Sequence, residues 1–472
     1  MLTGFFVSIT DSIGIGAASV LALTAGAGCF CGAGSGAIRF FFSFGGRRGI
    51  FKNKVQKNSV NENNQQGTVG WFLREQRSGC MKQVRFGMVG LGDMGRKHIQ
   101  SILEQVPEAT VSAIATQNAE HIRQVRAIPG METVHVFETP AQMYASGLID
   151  AVLIATPHRL HVPQSLEAFS AGMHVLLEKP TGVYTEEVRR MNAAADASGK
   201  AFGVMFNVRT HPFFRKMREI VSSGEMGEIR RVNVIITDWF RAQSYFDSGA
   251  WRATWKRDGG GVLLNQAPHN LDLLQWICGM PERVHAFCGF GRWHDIEVED
   301  DVTAWMQYKN GATGTFITCT GECPGTNRFE ISLDGGQLLY ENGRLLRSDL
   351  SMSAGQFIRE YPGGYGKPDV TVTDITPKED YPKHAGVIRA FARHILQDGS
   401  QCPEPMIADG REGLCSLTLS NAMLLSQWTG RTIELPLCAS DEAEFAARLE
   451  ALSRKSPGKT ARKIVMDLSK SF

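Results

Sequence analysis

Val84-Arg-Phe-Gly-Met-Val-Gly-Leu-Gly-Asp-Met-Gly95, continued by Arg96-Lys-His-Ile-Gln-Ser-Ile-Leu103, is the stretch that decides the fold. A short apolar run meets G-x-G-x-x-G, and a helical pattern follows at once. Gly90 permits the tight turn, Gly92 lets the backbone approach a pyrophosphate, and Gly95 lets the helix pack closely on the strand. The first N–H groups of the helix and the positive end of its dipole then face the phosphates. Strand, glycine loop and helix together predict dinucleotide binding, with Gly90, Gly92, Asp93, Met94 and Gly95 on the phosphate side.

Outward from this loop the strand–helix rhythm continues. Val111–Ala115 reads as the second strand and ends at Thr116. An acidic residue about twenty positions past the last glycine would bind the ribose hydroxyls of NAD. Thr116 stands there instead and repels no 2′-phosphate, so both NAD and NADP stay open; Arg123 and Arg126 lie on the following helix. Asp150–Ala155 is a buried, parallel-type strand. Thr156, Pro157 and His158 follow at its carboxyl end, where open α/β sheets bind ligands. A helix over His161–Ala171, a strand over His174–Leu177, the triplet Glu178-Lys179-Pro180, a helix over Thr185–Ser198 and a strand over Ala201–Phe206 complete a doubly wound parallel sheet in residues 81–206.

The chain has 472 residues and a net charge of +2, from 50 Lys and Arg against 48 Asp and Glu. That length allows two domains and a large core. The balance of charge, with no basic stripe, argues against a nucleic-acid partner. Ten cysteines are scattered with no CxxC pair. They read as reduced thiols of a cytoplasmic protein, and no cluster has metal-ligand spacing. Residues 1–80 differ from the rest: Ser12 to Ile38 carries no charge and is rich in Gly and Ala. No Lys or Arg precedes it, as a secretory signal requires. Its small residues make a weak membrane span. The expectation is a disordered extension or a start assigned too far upstream, with Met81 as the natural first residue.

Four features in order carry a family resemblance: the glycine motif at 90–95; Thr156-Pro157 with His161; Glu178-Lys179-Pro180; and Gly259-Gly-Gly-Val-Leu-Leu-Asn265-Gln-Ala-Pro-His269-Asn-Leu-Asp272. On them the chain, from about Val84 to Pro436, resembles the Gfo/Idh/MocA oxidoreductases, which include glucose–fructose oxidoreductase and inositol dehydrogenases. The resemblance implies an α/β fold: a Rossmann domain, then a C-terminal α+β domain (207–437) on an open, mostly antiparallel sheet. It also implies a homo-oligomer, dimer or tetramer, since a second subunit commonly covers one face of that sheet. Independently, Val302–Tyr308 and Thr313–Cys319 around Asn310-Gly311 read as a hairpin, and Phe329–Leu333, Gln337–Tyr340 and Arg344–Arg347 repeat the pattern. Residues 438–472 read as a helix and a mobile tail.

Oxidising a secondary alcohol needs a proton acceptor, an acceptor for hydride and a stabiliser for developing charge. His269, just after Pro268 at a helix start, suits the first task. Lys179, fixed by Pro180, suits the last and by the resemblance contacts the substrate hydroxyl near the nicotinamide. In the family this region often reads Asp-x-x-x-His-x-x-Asp; here Asn265 takes the first position. Asn265 can hydrogen-bond a hydroxyl but cannot act as a base, so that work falls to His269. Asp272, three residues on, either orients His269, binds substrate or forms a structural ion pair. The cofactor set also includes Thr116, Thr156, Pro157, His161, Glu178, Lys179 and Asn207. Arg209, Trp251, Arg252, Trp255, His158 and His211 are secondary cleft candidates. The substrate expected is a sugar or polyol. A nicotinamide-using glycosidase and a non-catalytic NAD(P) sensor are the alternatives, and a sensor needs only the glycine loop.

Overall fold

The computed structural model describes residues 82–397, 404–457 and 459. The expectations for residues 1–80 and for most of the tail lie outside them. β1 (Val84–Val89) buries every side chain but Arg85, as a central strand covered on both faces must. It feeds α1 (Asp93–Gln105), whose buried face is Gly95, His98, Ile99 and Ile102, the spacing of one helical stripe. Then come β2 (Ala109–Ala115), α2 (Ala119–Arg126), β3 (His135–Phe137), α3 (Pro140–Ala145), β4 (Ala151–Ile154), α4 (His161–Ser170), β5 (His174–Leu177), α5 (Thr185–Ser198) and β6 (Phe202–Val204). The strands form a six-stranded sheet in the order β3-β2-β1-β4-β5-β6. Every pairing in it is parallel. This is the doubly wound order that puts its crevice beyond the carboxyl ends of β1 and β4. The last strand is shorter than the expected Ala201–Phe206, because a 3₁₀ turn takes over at Asn207–Thr210.

α6 (Pro212–Ser223) begins the second half, with proline in its first turn and Gly224 (φ 72°) ending it. β7 (Ile229–Ile236), α7 (Gln243–Asp247), α8 (Pro268–Cys278), β8 (Arg283–Phe290), β9 (Glu299–Gln307), β10 (Thr313–Cys319), β11 (Asn327–Leu333), β12 (Gly336–Glu341), β13 (Arg344–Leu350), α9 (Ala354–Glu360) and β14 (Val370–Asp374) follow. The chain ends in α10 (Lys383–Leu396), α11 (Gly413–Thr429), β15 (Ile433–Glu434) and α12 (Ala439–Lys455). Nine strands make the second sheet, in the order β14-β13-β12-β11-β7-β10-β9-β8-β15. Only β7 and β10 pair in parallel. The expected hairpins form: Asn342 (φ 51°) and Gly343 (φ 70°) make the primed turn between β12 and β13. β15 is only two residues long.

All the described residues belong to a single compact unit. The chain does not leave its first half cleanly at residue 206. α10 returns, and its Ala385, Ile388 and Phe391 join Phe86, Ile99 and Leu176 in one apolar cluster. α12 docks as well, stacking Phe445 on Trp428 with ring centroids 5.4 Å apart. Among the described residues no helix is long and apolar enough to cross a membrane. The six described cysteines are free thiols.

Candidate active site

The glycine loop has the shape a pyrophosphate needs. Gly90 sits at φ +90°, and a Cβ there would lie 2.4 Å from the Ala155 backbone. A Cβ on Gly95 would lie 2.0 Å from the Gly90 carbonyl oxygen. Gly92 is different: nothing lies within 4 Å of its added Cβ, and no side chain caps α1 there. Open space in front of free helix N–H groups is what a phosphate fills. Arg96 braces the loop, donating to the Leu91 carbonyl at 2.8 Å and to Asp93 at 2.6 Å. Met94 is partly exposed beside them. Thr116 accepts from the Asn118 N–H at 3.1 Å, and Asn118 caps α2. Arg123 pairs with Glu120.

Where β5 ends, Glu178, Lys179 and Pro180 turn into the cleft, through a cis Lys179–Pro180 peptide. Glu178 is buried and its Oε1 lies 2.6 Å from His98 Nε2. Burial alone would raise this carboxyl; the His98 hydrogen bond, with the His384 and Lys179 charges, brings it down to about 2. It stays an anion beside Lys179. His161, fully buried, has one ring nitrogen 2.7 Å from the Thr156 carbonyl oxygen and the other 2.7 Å from that of Pro180. Burial, then the neighbouring His158, pushes it down to about 4, so the neutral ring donates to one of the two. His161 thus sits between the end of β4 and the lysine turn, within 2.7 Å of a carbonyl oxygen of each. Thr156 spends its hydroxyl on Gln164 at 2.7 Å, and Pro157 precedes the 3₁₀ turn His158–Leu160.

Lys179 donates to the Asn265 carbonyl oxygen at 2.7 Å. Burial lowers the pKa of its ammonium, against the pull of Glu178 and Asp258. His269 opens α8 just after Pro268. Its Nδ1 is buried with no hydrogen-bond partner, and its ring lies edge-on to Phe206 at 6.1 Å. Burial and the Lys179 charge hold this imidazole well below its ordinary value. Lys179, Asn265 and His269 are thus gathered at one spot. Asn207 belongs to the same wall: its Nδ2 donates to Tyr381 at 3.0 Å, and its Oδ1 is buried and unmatched. Such an orphaned acceptor fits a donor on a bound cofactor.

Asp272 is placed elsewhere. Arg209 takes both its carboxylate oxygens, at 2.7 and 2.6 Å, and Gln275 adds a third bond at 3.0 Å. Both partners are almost fully buried. Of the three roles open to Asp272, the geometry is that of the ion pair, which locks α8 to the Asn207–Thr210 turn. Trp255 is core, against Phe290 and Trp428, and His211 stacks on Phe213 at 4.7 Å.

Asp258 went unnoticed in the sequence because an aspartate before three glycines reads as a turn. It is buried. Its Oδ2 accepts from the Ala253 N–H at 2.9 Å and from Asn265 Nδ2 at 3.3 Å, and its Oδ1 lies 2.9 Å from His158 Nδ1. A carboxylate therefore stands behind Asn265 after all. His384, on α10, was missed too, because nothing local marks it. Its ring lies 5.2 Å from that of His98.

Comparisons with known proteins agree with this architecture. The model of the oxidoreductase family with an NAD-binding Rossmann fold matches residues 84–206, and that of the GFO/IDH/MocA C-terminal domain matches residues 214–339. The chain is 32% identical over 246 residues to the trans-1,2-dihydrobenzene-1,2-diol dehydrogenase of Mus musculus, covering 50% of this chain and 68% of that protein. It is 28% identical over 199 residues to the rhizopine catabolism protein MocA of Rhizobium meliloti, covering 42% of this chain and only 58% of MocA. Among solved structures, the WlbA dehydrogenase from Bordetella pertussis in complex with NADH and UDP-GlcNAcA superposes with a TM-score of 0.60 at 29% identity, covering 76% of this chain and 100% of that one.

Proposed function

The chain belongs to the GFO/IDH/MocA oxidoreductases, with an NAD-binding Rossmann fold over residues 84–206, and from that premise we propose that it acts on a secondary hydroxyl or ketone of a sugar or cyclic polyol. The observation that carries the reading is the meeting of Lys179, Asn265 and His269 beyond the carboxyl end of the parallel sheet. The trans-1,2-dihydrobenzene-1,2-diol dehydrogenase and the WlbA dehydrogenase with bound UDP-GlcNAcA are named for hydroxylated rings, which supports the substrate class.

Gly90, Gly92 and Gly95 with the start of α1 hold the pyrophosphate of NAD or NADP, and Thr116 faces the ribose. Glu178, Asn207, Thr156, Pro157 and His161 shape the nicotinamide end. The cofactor, when bound, supplies the hydride acceptor or donor. The protein does the rest. His269, kept neutral by burial and by Lys179, takes the hydroxyl proton in oxidation and returns it in reduction. Lys179 hydrogen-bonds the reacting oxygen; breaking its bond to the Asn265 carbonyl frees a desolvated ammonium for the charge that develops there. Asn265 hydrogen-bonds a neighbouring hydroxyl with its side chain. Arg209 and Asp272 fix the helix that presents His269.

The test follows reduced-cofactor absorbance with NAD or NADP against inositols, aldoses, sugar acids and glycosides. Lys179→Ala and His269→Ala should each lower kcat by roughly 10²- to 10⁴-fold while cofactor still binds. Full turnover in both variants would sink the assignment. Cofactor binding with no turnover of any compound would favour the sensor. Glycoside cleavage without net reduction of cofactor would favour the glycosidase.

A further inference from the structure

Arg241 and Arg252 flank Tyr245 on the segment that precedes the glycine run. Arg252 stacks over the Tyr245 and Trp251 rings, each at 4.5 Å, and donates to the Tyr245 hydroxyl at 2.8 Å. Arg241 lies over Trp239 at 5.5 Å and Tyr245 at 5.3 Å. Gln266, one residue beyond Asn265, reaches the same hydroxyl at 3.3 Å. Trp251 in turn meets His158, the partner of Asp258, with ring centroids 5.9 Å apart. An unbroken set of contacts therefore runs from Lys179 through Asn265, Asp258, His158 and Trp251 to Arg252.

Neither guanidinium has a carboxylate within 4 Å among the described residues, whereas half-buried arginines such as Arg159 and Arg328 do. The neighbouring acids Asp258 and Asp238 are engaged with other groups. Asp258 accepts from Ala253 and Asn265 with Oδ2 and lies beside His158 with Oδ1; Asp238 accepts from Asn327 at 3.0 Å and draws on Arg241 only at a distance beyond an ion pair. Both arginines bear on Lys179, opposing its ammonium. Burial and then Arg252 also depress Arg241. Two guanidiniums thus share one aromatic platform and oppose each other across it, a repulsion that an anion between them would remove.

We propose that Arg241 and Arg252 form an anion seat, and that the substrate is an acidic sugar whose carboxylate or phosphate they hold while Lys179 and His269 work on a neighbouring carbon. Planar guanidiniums suit either oxyanion through paired hydrogen bonds, and aromatic faces suit the sugar ring. The inference rests on the oxidoreductase reading of the same cleft, so its test has a binding arm that needs no turnover.

D-glucuronate, D-glucose 6-phosphate and D-glucose would be titrated calorimetrically into the full chain loaded with NADH, and assayed separately for turnover with NAD or NADP as hydride acceptor. One of the two acids should bind and react more tightly than glucose by roughly tenfold or more, and lose that advantage at high salt. Whichever acid leads names the anion. Arg241→Gln and Arg252→Gln should each weaken the acid far more than glucose, and Arg252→Lys should restore part of the loss. Tighter acid binding without turnover would uphold the seat and count against the oxidoreductase reading alone. Glucose binding as tightly as both acids, or equal losses on acid and neutral sugar in both variants, would overturn the proposal.

Discussion

The imidazole of His269 is pressed from two sides in one direction, since burial and the Lys179 ammonium both disfavour its charged form. It is therefore a free base at neutral pH. In the oxidation proposed here, kcat/KM should hold its value down through pH 6.5, the ordinary imidazole value, and fall only below it. An acidic limb centred at or above that value in the pH–rate profile would contradict the assignment. Lys179 and His269 could be singled out in the sequence because the family resemblance covers both motifs, beside the local grammar of a lysine before proline at a strand end and a histidine after proline at a helix start. Asp258 and Arg241 were not, since each acquires its meaning from partners. Asp258 reaches back a hundred residues to His158, and Arg241 matters because Arg252 and Tyr245 share its space. Asp272 shows the converse: its spacing from His269 suggested one helix face, but the buried guanidinium of Arg209 outcompetes any weaker partner.

The glycine loop separates two demands that a motif merges. A methyl on Gly95 would strike the Gly90 carbonyl oxygen, whereas one on Gly92, whose backbone (φ −66°) suits any residue, would meet nothing of the protein. Gly92→Ala should leave the melting temperature nearly unchanged and weaken NAD binding by roughly tenfold or more, because the methyl occupies the space meant for the pyrophosphate. Gly95→Ala should instead destabilise the fold by about 1–3 kcal/mol through overpacking. Thermal melts with and without NAD separate the two, and equal destabilisation in both would refute the distinction. Elements with their own periodicity, such as β1, α5 and the β9–β10 hairpin, were readable from sequence. β14 was not, because its Val-Thr-Val-Thr-Asp side chains are all exposed and only pairing with β13 makes it a strand. Nor was the return of α10 readable: its apolar stripe announces a buried face, not which sheet buries it.

At the scale of the whole molecule a buried carboxyl and an exposed sheet face set conditions on stability and assembly. Beneath the glycine run, Glu299 accepts from the Gly261 and Leu263 N–H groups at 2.8 and 3.1 Å, yet burial raises its carboxyl to about 7. The unfolded carboxyl titrates at its ordinary 4.5, so between these values the folded state keeps a proton the unfolded state has lost. Stability from this group should fall as pH rises through that window, by at most roughly 3 kcal/mol, and level off above it. Glu299→Gln should flatten that slope in denaturant melts at about pH 5 and about pH 8; an unchanged slope would assign it elsewhere. The exposed face is the outer side of the nine-stranded sheet. Its inner face, with Val232, Val284 and Met306, is buried in the core. On the outer face Phe287, Thr303, Ile317 and Ile235 fall in one row across β8, β9, β10 and β7. Trp305 stands two residues beyond Thr303; Phe287 is 68% and Trp305 40% exposed. Exposed aromatic side chains on a sheet face favour burial against a copy of the same face, because a two-fold axis matches each row with its own repeat. Light scattering of the full chain should therefore report a dimer or tetramer, and Phe287→Lys with Trp305→Lys should convert it to monomers with an unchanged circular-dichroism spectrum. A wild-type monomer at micromolar concentration would mean that the sheet's outer face is stable in water as it stands.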